Sequence, residues 1–196
     1  MSPVCTISHN CAPRDIVRHT CYPESEWRSQ VDAMGAIANS KLAVFSHTKL
    51  KPGESGTDNF GQPVTYWQTL WYALGSFLLG KHDTPNNAYF QFAGNGPTYS
   101  SLSWQDEYSM IALGKALGPY KVTAIGGVNV YSREFERGFV YVNPSDRALG
   151  SVSVALPAAC TCRQRTHDNL DAPSSLLPLV TSIQLSPHHA AIVLKT

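Results

Sequence analysis

Apolar and polar positions change rhythm several times along the chain. From Ser25, "SEWRSQVDAMGAIAN" carries Trp27, Val31, Met34 and Ala38 at helical spacing. Ser25 can cap that helix, and Asn39 or Ser40 would end it. "KLAVFSHT" follows at once. Its apolar run has strand length and suits a strand buried on both faces, as in a parallel sheet. "KLKPGESGTDNFGQP" is then loop by composition. Beyond Pro63, "VTYWQTLWYALGSFLLG" places Trp67, Leu70, Trp71, Leu74, Phe77 and Leu78 in an i, i+3, i+4, i+7 series that stops at Gly80. "AYFQFAG" predicts a second buried strand. The residues after it predict mostly loop, with a short helix around Tyr108–Leu113.

From Val128 the period drops to two. "VNVYSREFERGFVYVNPSDRALGSVSVAL", "LVTSIQL" and "AAIVL" predict about five short antiparallel strands, with a loop from Pro157 to Pro173. Gly138 offers the positive φ of a tight hairpin. "NPSD" at Asn143–Asp146 is turn chemistry. Alternation of helix and strand before residue 95 implies βα units and a parallel sheet. The change of rhythm at Gly126–Gly127 marks a boundary. The expected division is an irregular segment over 1–24, an α/β unit over 25–126 and an antiparallel β domain over 127–196.

Composition narrows the function more than the fold. With 43% hydrophobic and 15% charged residues, the 196-residue chain can bury a sizeable core. A net charge of +1 and the lack of a basic run give no electrostatic case for nucleic acid or an anionic membrane. No apolar stretch approaches the ~20 residues of a membrane helix. The N-terminus has neither the basic start nor the apolar core of a signal peptide, and the compartment stays open. Cys5, Cys11, Cys21, Cys160 and Cys162 are odd in number, so they cannot pair completely. A metal cluster of the N-terminal cysteines with His9 or His19 matches no zinc spacing. Cys160 and Cys162 read as too close for an easy mutual disulfide. No metal or other cofactor is expected.

Four segments carry a family resemblance: "LWYALGSFLLGKHDTPNNAYFQF", "WQDEYSMIALGKALGPY", "VYSREFERGFVYVNPS" and "LSPHHAAIVLKT". Together they resemble the C-terminal part of uncharacterised glycoside-hydrolase-like proteins that place a small β domain behind a (β/α) barrel. The resemblance implies an α/β fold: the last strand–helix units of a partial barrel, followed by an antiparallel sheet or sandwich. It implies hydrolysis of O-glycosidic bonds in an oligosaccharide or polysaccharide. A full barrel needs eight strands, and two are clear here. The expectation is therefore a fragment, completed in a longer form by a missing N-terminal barrel half or by another chain. The alternative is a non-catalytic carbohydrate-binding or structural remnant.

In such barrels, reactive groups follow the strand ends. That rule points to His47, Lys49, Asp58 and Asn59 after the first strand, and to Gln91, Asn95, Trp104, Asp106, Glu107 and Tyr108 around the second. Glycoside cleavage uses two carboxyl groups and gains from an aromatic platform. Asp106 and Glu107 are the catalytic candidates; Asp58, Gln91, Trp104 and Tyr108 are the substrate-binding ones. Each has a plainer reading. Asp106 and Glu107 can cap the helix beginning at Tyr108, and Asp58 can form an Asx-turn. His47 can bond a backbone group. Trp67 and Trp71 fall on the helix's apolar stripe and read as core. His188 and His189 would send one ring to each face of the last strand, and Arg133 and Glu134 would lie at the surface or between domains.

Overall fold

The computed structural model describes residues 18–19, 21–37, 42–83, 88–94, 105–146 and 151–196. In chain order the strands are β1 (Arg18–His19), β2 (Leu42–His47), β3 (Ser55–Asp58), β4 (Pro63–Thr65), β5 (Ala88–Ala93), β6 (Lys121–Ile125), β7 (Val128–Phe135), β8 (Gly138–Asn143), β9 (Val152–Ala155), β10 (Cys162–Arg165), β11 (Ser182–Leu185) and β12 (His189–Lys195). The helices are α1 (Glu24–Ala36), α2 (Tyr66–Gly80) and the single turn α3 (Glu107–Met110). No helix of the described residues is long and apolar enough to cross a membrane.

Most of the chain answers to α2. Thr65 and Gln68 close a reciprocal capping box at its start: Gln68 N donates to Thr65 Oγ1 at 3.2 Å and Thr65 N to Gln68 Oε1 at 2.8 Å. From Thr69 to Gly80 every residue is buried, so the helix is covered on all sides. Its last turn is closed from another element. Arg133, on β7, donates from Nη1 to the carbonyls of Leu78, Leu79 and Lys81 at 3.0, 3.0 and 2.6 Å. A cation there also meets the negative end of the helix dipole. Arg133 is thus a structural clamp rather than a surface residue.

The largest sheet is antiparallel, in the order β10-β12-β8-β7-β6. The alternation along β8 explains why the whole strand is buried. Val140 and Val142 join Tyr131 and Ile192 in a core with α2. Phe139 and Tyr141 face the other way, where β9 and β11 pair antiparallel and cover them with Val154, Ile183 and Leu185. The helix α1 buries Trp27, Val31 and Met34 against α2, as the helical spacing of those residues requires. Trp27 Nε1 donates to Ser76 Oγ at 2.9 Å, and Glu24 Oε1 accepts from Tyr131 Oη at 2.8 Å. The cap of α1 is Pro23 rather than Ser25, and it makes no side-chain bond.

The two buried runs of the first half do pair in parallel, β2 with β5, from Leu42↔Ala88 to His47↔Ala93. They form a two-stranded sheet by themselves. The expected α/β class, with a partial (β/α) barrel, is not what the chain adopts. Strand is the commonest regular structure of its described residues, in four small sheets of which two are antiparallel, one mixed and one parallel, with two long helices; the class is largely β. The physical reason is where α2 puts its apolar surface. Much of it lies against β12, β8 and β7 of an antiparallel sheet. Between β2 and α2 the chain also inserts the hairpin β3–β4, and β1 joins that hairpin in parallel.

Three further expectations change. The segment 157–173 is not all loop, because β10 runs through it and pairs with β12. Cys160 and Cys162 form a disulfide across Thr161. Their Cα atoms lie 5.1 Å apart, within the span a disulfide bridges. Gly138 has no positive φ; the left-handed glycines of the large sheet are Gly126 and Gly127, in the β6–β7 turn. Gly138 is needed for space instead, since a Cβ there would collide with the Val193 carbonyl and Leu113. Gly138→Ala should therefore cost about 1–3 kcal/mol by overpacking. Gly118→Ala, where a Cβ meets nothing within 4 Å, should stay within about 0.5 kcal/mol of the parent. Urea unfolding of both variants compares them directly.

Candidate functional site

A cavity of about 710 Å³ opens beside the parallel pair, bounded by β2, β5, the C-terminal half of α2 and the α3 turn. It gathers three of the residues singled out from sequence: Gln91, Glu107 and Tyr108. Aromatic rings of Phe45, Tyr89, Phe90 and Tyr108 line it, and Tyr89 is 53% exposed. Tyr108 is fixed in place. Its hydroxyl accepts from Phe92 N at 2.7 Å, its ring meets Phe90 edge-on, and burial raises its pKa.

Glu107 is the chemically distinctive member. Its side chain is 2% exposed, yet it lines the cavity, and its Oε1 lies 2.7 Å from His167 Nδ1. His167 is 32% exposed and lines a second cavity of about 260 Å³ with Trp67, Trp71 and Arg165. The Glu107–His167 pair therefore connects a buried carboxyl on one cavity with a more accessible imidazole on another. Neighbours hold the imidazole. Trp67 stacks on it with centroids 3.4 Å apart and planes 14° from parallel. Arg165 Nη1 donates to the carbonyls of Asn169, Leu170 and Ala172 at 2.6, 2.8 and 2.8 Å and shapes the turn that carries His167. Trp67 thus has a task beyond the core reading, and it is only half-buried.

Asp106 and Glu107 diverge. Asp106 is exposed, is not among the cavity's lining residues and makes no side-chain capping bond to α3. Another carboxylate at the cavity is Asp83, which sequence reasoning missed. It is salt-bridged to Lys81 at 2.7 Å, lies 3.9 Å from Arg133 and accepts from Ala116 N at 3.1 Å. Asn95 and Trp104 lie outside the described residues. No local motif announces His167, which reaches Glu107 across 60 positions of sequence.

Asp58 is not at this cavity. It is buried with His188, whose Nδ1 stands 2.7 Å from Asp58 Oδ2 across 130 positions of sequence. Asp58 Oδ1 accepts from the backbone amides of Phe60 and Gln62 at 2.9 and 2.8 Å, so the Asx-turn reading holds as well. Burial works to raise its pKa, but the bonds from His188, Gln62 and Phe60 outweigh it and hold the carboxyl below its ordinary value. His189 goes elsewhere: its Nδ1 contacts the Pro187 carbonyl at 2.8 Å, and it lines the smaller cavity.

The model of hypothetical glycosyl hydrolase family 15 matches residues 23–139. That span is more than half of the chain and holds Glu107, Gln91, Tyr108, Asp83 and α2, so the chain belongs to this family. No curated protein and no solved structure matches it.

The Asp58 carboxylate has a consequence for acid stability. A lowered native pKa contributes stability that is fully present above the unfolded carboxylate value of about 3.9. That contribution is lost as pH falls through the lower native value. The unfolding free energy should therefore fall as pH drops below about 4. The Asp58→Asn variant should be less stable at neutral pH and show a shallower acid slope. Urea unfolding across that pH range reads both.

Proposed function

We propose that the chain acts on carbohydrate by hydrolysing O-glycosidic bonds, with the sugar lying in the larger cavity against Tyr89. The observation that carries this reading is the Glu107–His167 pair. Family membership supports the substrate class. A carboxyl beside a substrate cavity, in contact with a second proton-carrying group, can serve in proton transfer to a leaving oxygen. His167, at 2.7 Å and partly exposed, would link Glu107 to solvent in that transfer. Glu107 is then the proton-donating group. Gln91 and Tyr108 shape the wall, and the exposed Tyr89 ring offers an apolar face to the sugar's C–H bonds. Such chemistry needs another carboxylate. Asp83 supplies one at the cavity, which Asp106 does not line.

One observation favours a second reading, carbohydrate binding without turnover. Both cavity carboxylates already have protein partners: Glu107 in His167, and Asp83 in Lys81 and the Ala116 amide.

The two readings separate on a glycan panel. For an enzyme, Glu107→Gln should lower turnover by ~10²–10⁴-fold, while Asp106→Asn has much less effect and Tyr89→Ala mainly weakens binding. A binder retains sugar, releases none and loses affinity in Tyr89→Ala. Turnover that survives Glu107→Gln unchanged would remove Glu107 from the chemistry.

A further inference from the structure

A second constellation lies away from the sugar cavity. Cys21, Asp58 and His188 are all buried, at 2%, 1% and 2% exposure. One ligand-type atom from each lies within 4.8 Å of those of the other two. They come from three distant parts of the chain: the lead into α1, the end of β3 and the residue before β12. Sulfur, imidazole and carboxylate are the donor types that a zinc-type ion takes from proteins.

The second observation concerns the imidazole. Asp58 engages Nδ1, so a neutral ring would carry its proton there and present its lone pair at Nε2. Nε2 is buried and has no hydrogen-bond partner among the described residues. An unsatisfied buried polar atom is costly, and here the cost is compounded. His188 holds φ at +53°, the one left-handed residue other than glycine among those described. The ring is set between Phe60 and Tyr72, with centroids 5.4 and 5.7 Å away. The backbone of Cys21 is also pinned, donating from its amide to Asn59 Oδ1 at 2.6 Å. A rigid carboxylate–imidazole pair beside a thiol, with the outer ring nitrogen unspent, is the arrangement a metal-binding histidine shows.

We propose that Cys21 and His188 bind one thiophilic cation of the zinc type, with Asp58 holding the imidazole from behind. Cys21 bonds as the thiolate, so its proton leaves on binding. The cation would tie the start of α1 to the base of β12, a role independent of sugar chemistry.

The test uses the whole chain, stripped of metal and titrated with Co²⁺. A thiolate-to-cobalt charge-transfer band should saturate at one equivalent. Zn²⁺ should abolish the band and raise the melting temperature. Replacing Cys5 and Cys11 together by Ser should leave the band in place. Cys21→Ser and His188→Gln should remove it, and Asp58→Asn should weaken affinity by ~10–100-fold. Two results overturn the proposal: no band in the parent, or a band that survives Cys21→Ser and vanishes without Cys5 and Cys11. If the Cys21 and His188 variants do not fold, X-ray absorption of the zinc-loaded parent decides. One sulfur and one imidazole nitrogen support the site, whereas an all-oxygen or multi-sulfur shell rejects it.

Discussion

The all-round burial of α2 is the constraint on which the rest depends. A helix with apolar residues on every face has to be enclosed. Here one side meets β7, β8 and β12, and others meet α1, β4 and β5. Each fully buried large side chain contributes roughly 1.5–3 kcal/mol, so this enclosure is the main source of cohesion between distant parts of the chain. Gly75 shows how close the approach is: a Cβ there would run into Ala190 and Val142. Arg133 then closes the helix's carbonyl end from β7, so the sheet both packs the helix and terminates it.

Both constellations of chemical groups hang from that helix. Its first turn brings Trp67 onto His167 and so orients the partner of Glu107. Its middle brings Tyr72 against His188. Its last turns, with Leu74, Phe77 and Leu78, form a wall of the larger cavity. The carbohydrate reading and the metal reading are chemically separate. They share a scaffold, since either site loses its geometry if α2 shifts.

What the sequence revealed, and what it hid, follows from range. Period 3.6 marked Trp27, Val31 and Met34 as one face, and these residues are the buried ones of α1. Alternation marked β7, β8 and β12, and apolar runs marked β2 and β5, whose parallel pairing was also anticipated. Strands β6 and β10 escaped notice because "KVTAI" and "CRQR" are polar or exposed along much of their length. The barrel expectation failed because periodicity reports which residues are buried and not what buries them. Glu107 was legible as a carboxylate near a strand end. His167 and the Asp58–His188 pair were not, because contacts across 60 and 130 positions leave no local pattern.

Native-state hydrogen exchange, resolved along the chain, addresses the enclosure of α2 most directly. If α2 is the hub, its amides from Leu70 to Leu79 exchange only through the opening that also exposes β8 and β12, with the same free energy and the same denaturant dependence. Amides of α2 that exchange freely while β8 and β12 stay protected would show that the sheet stands without the helix. Neither constellation would then have the rigid support assigned to it.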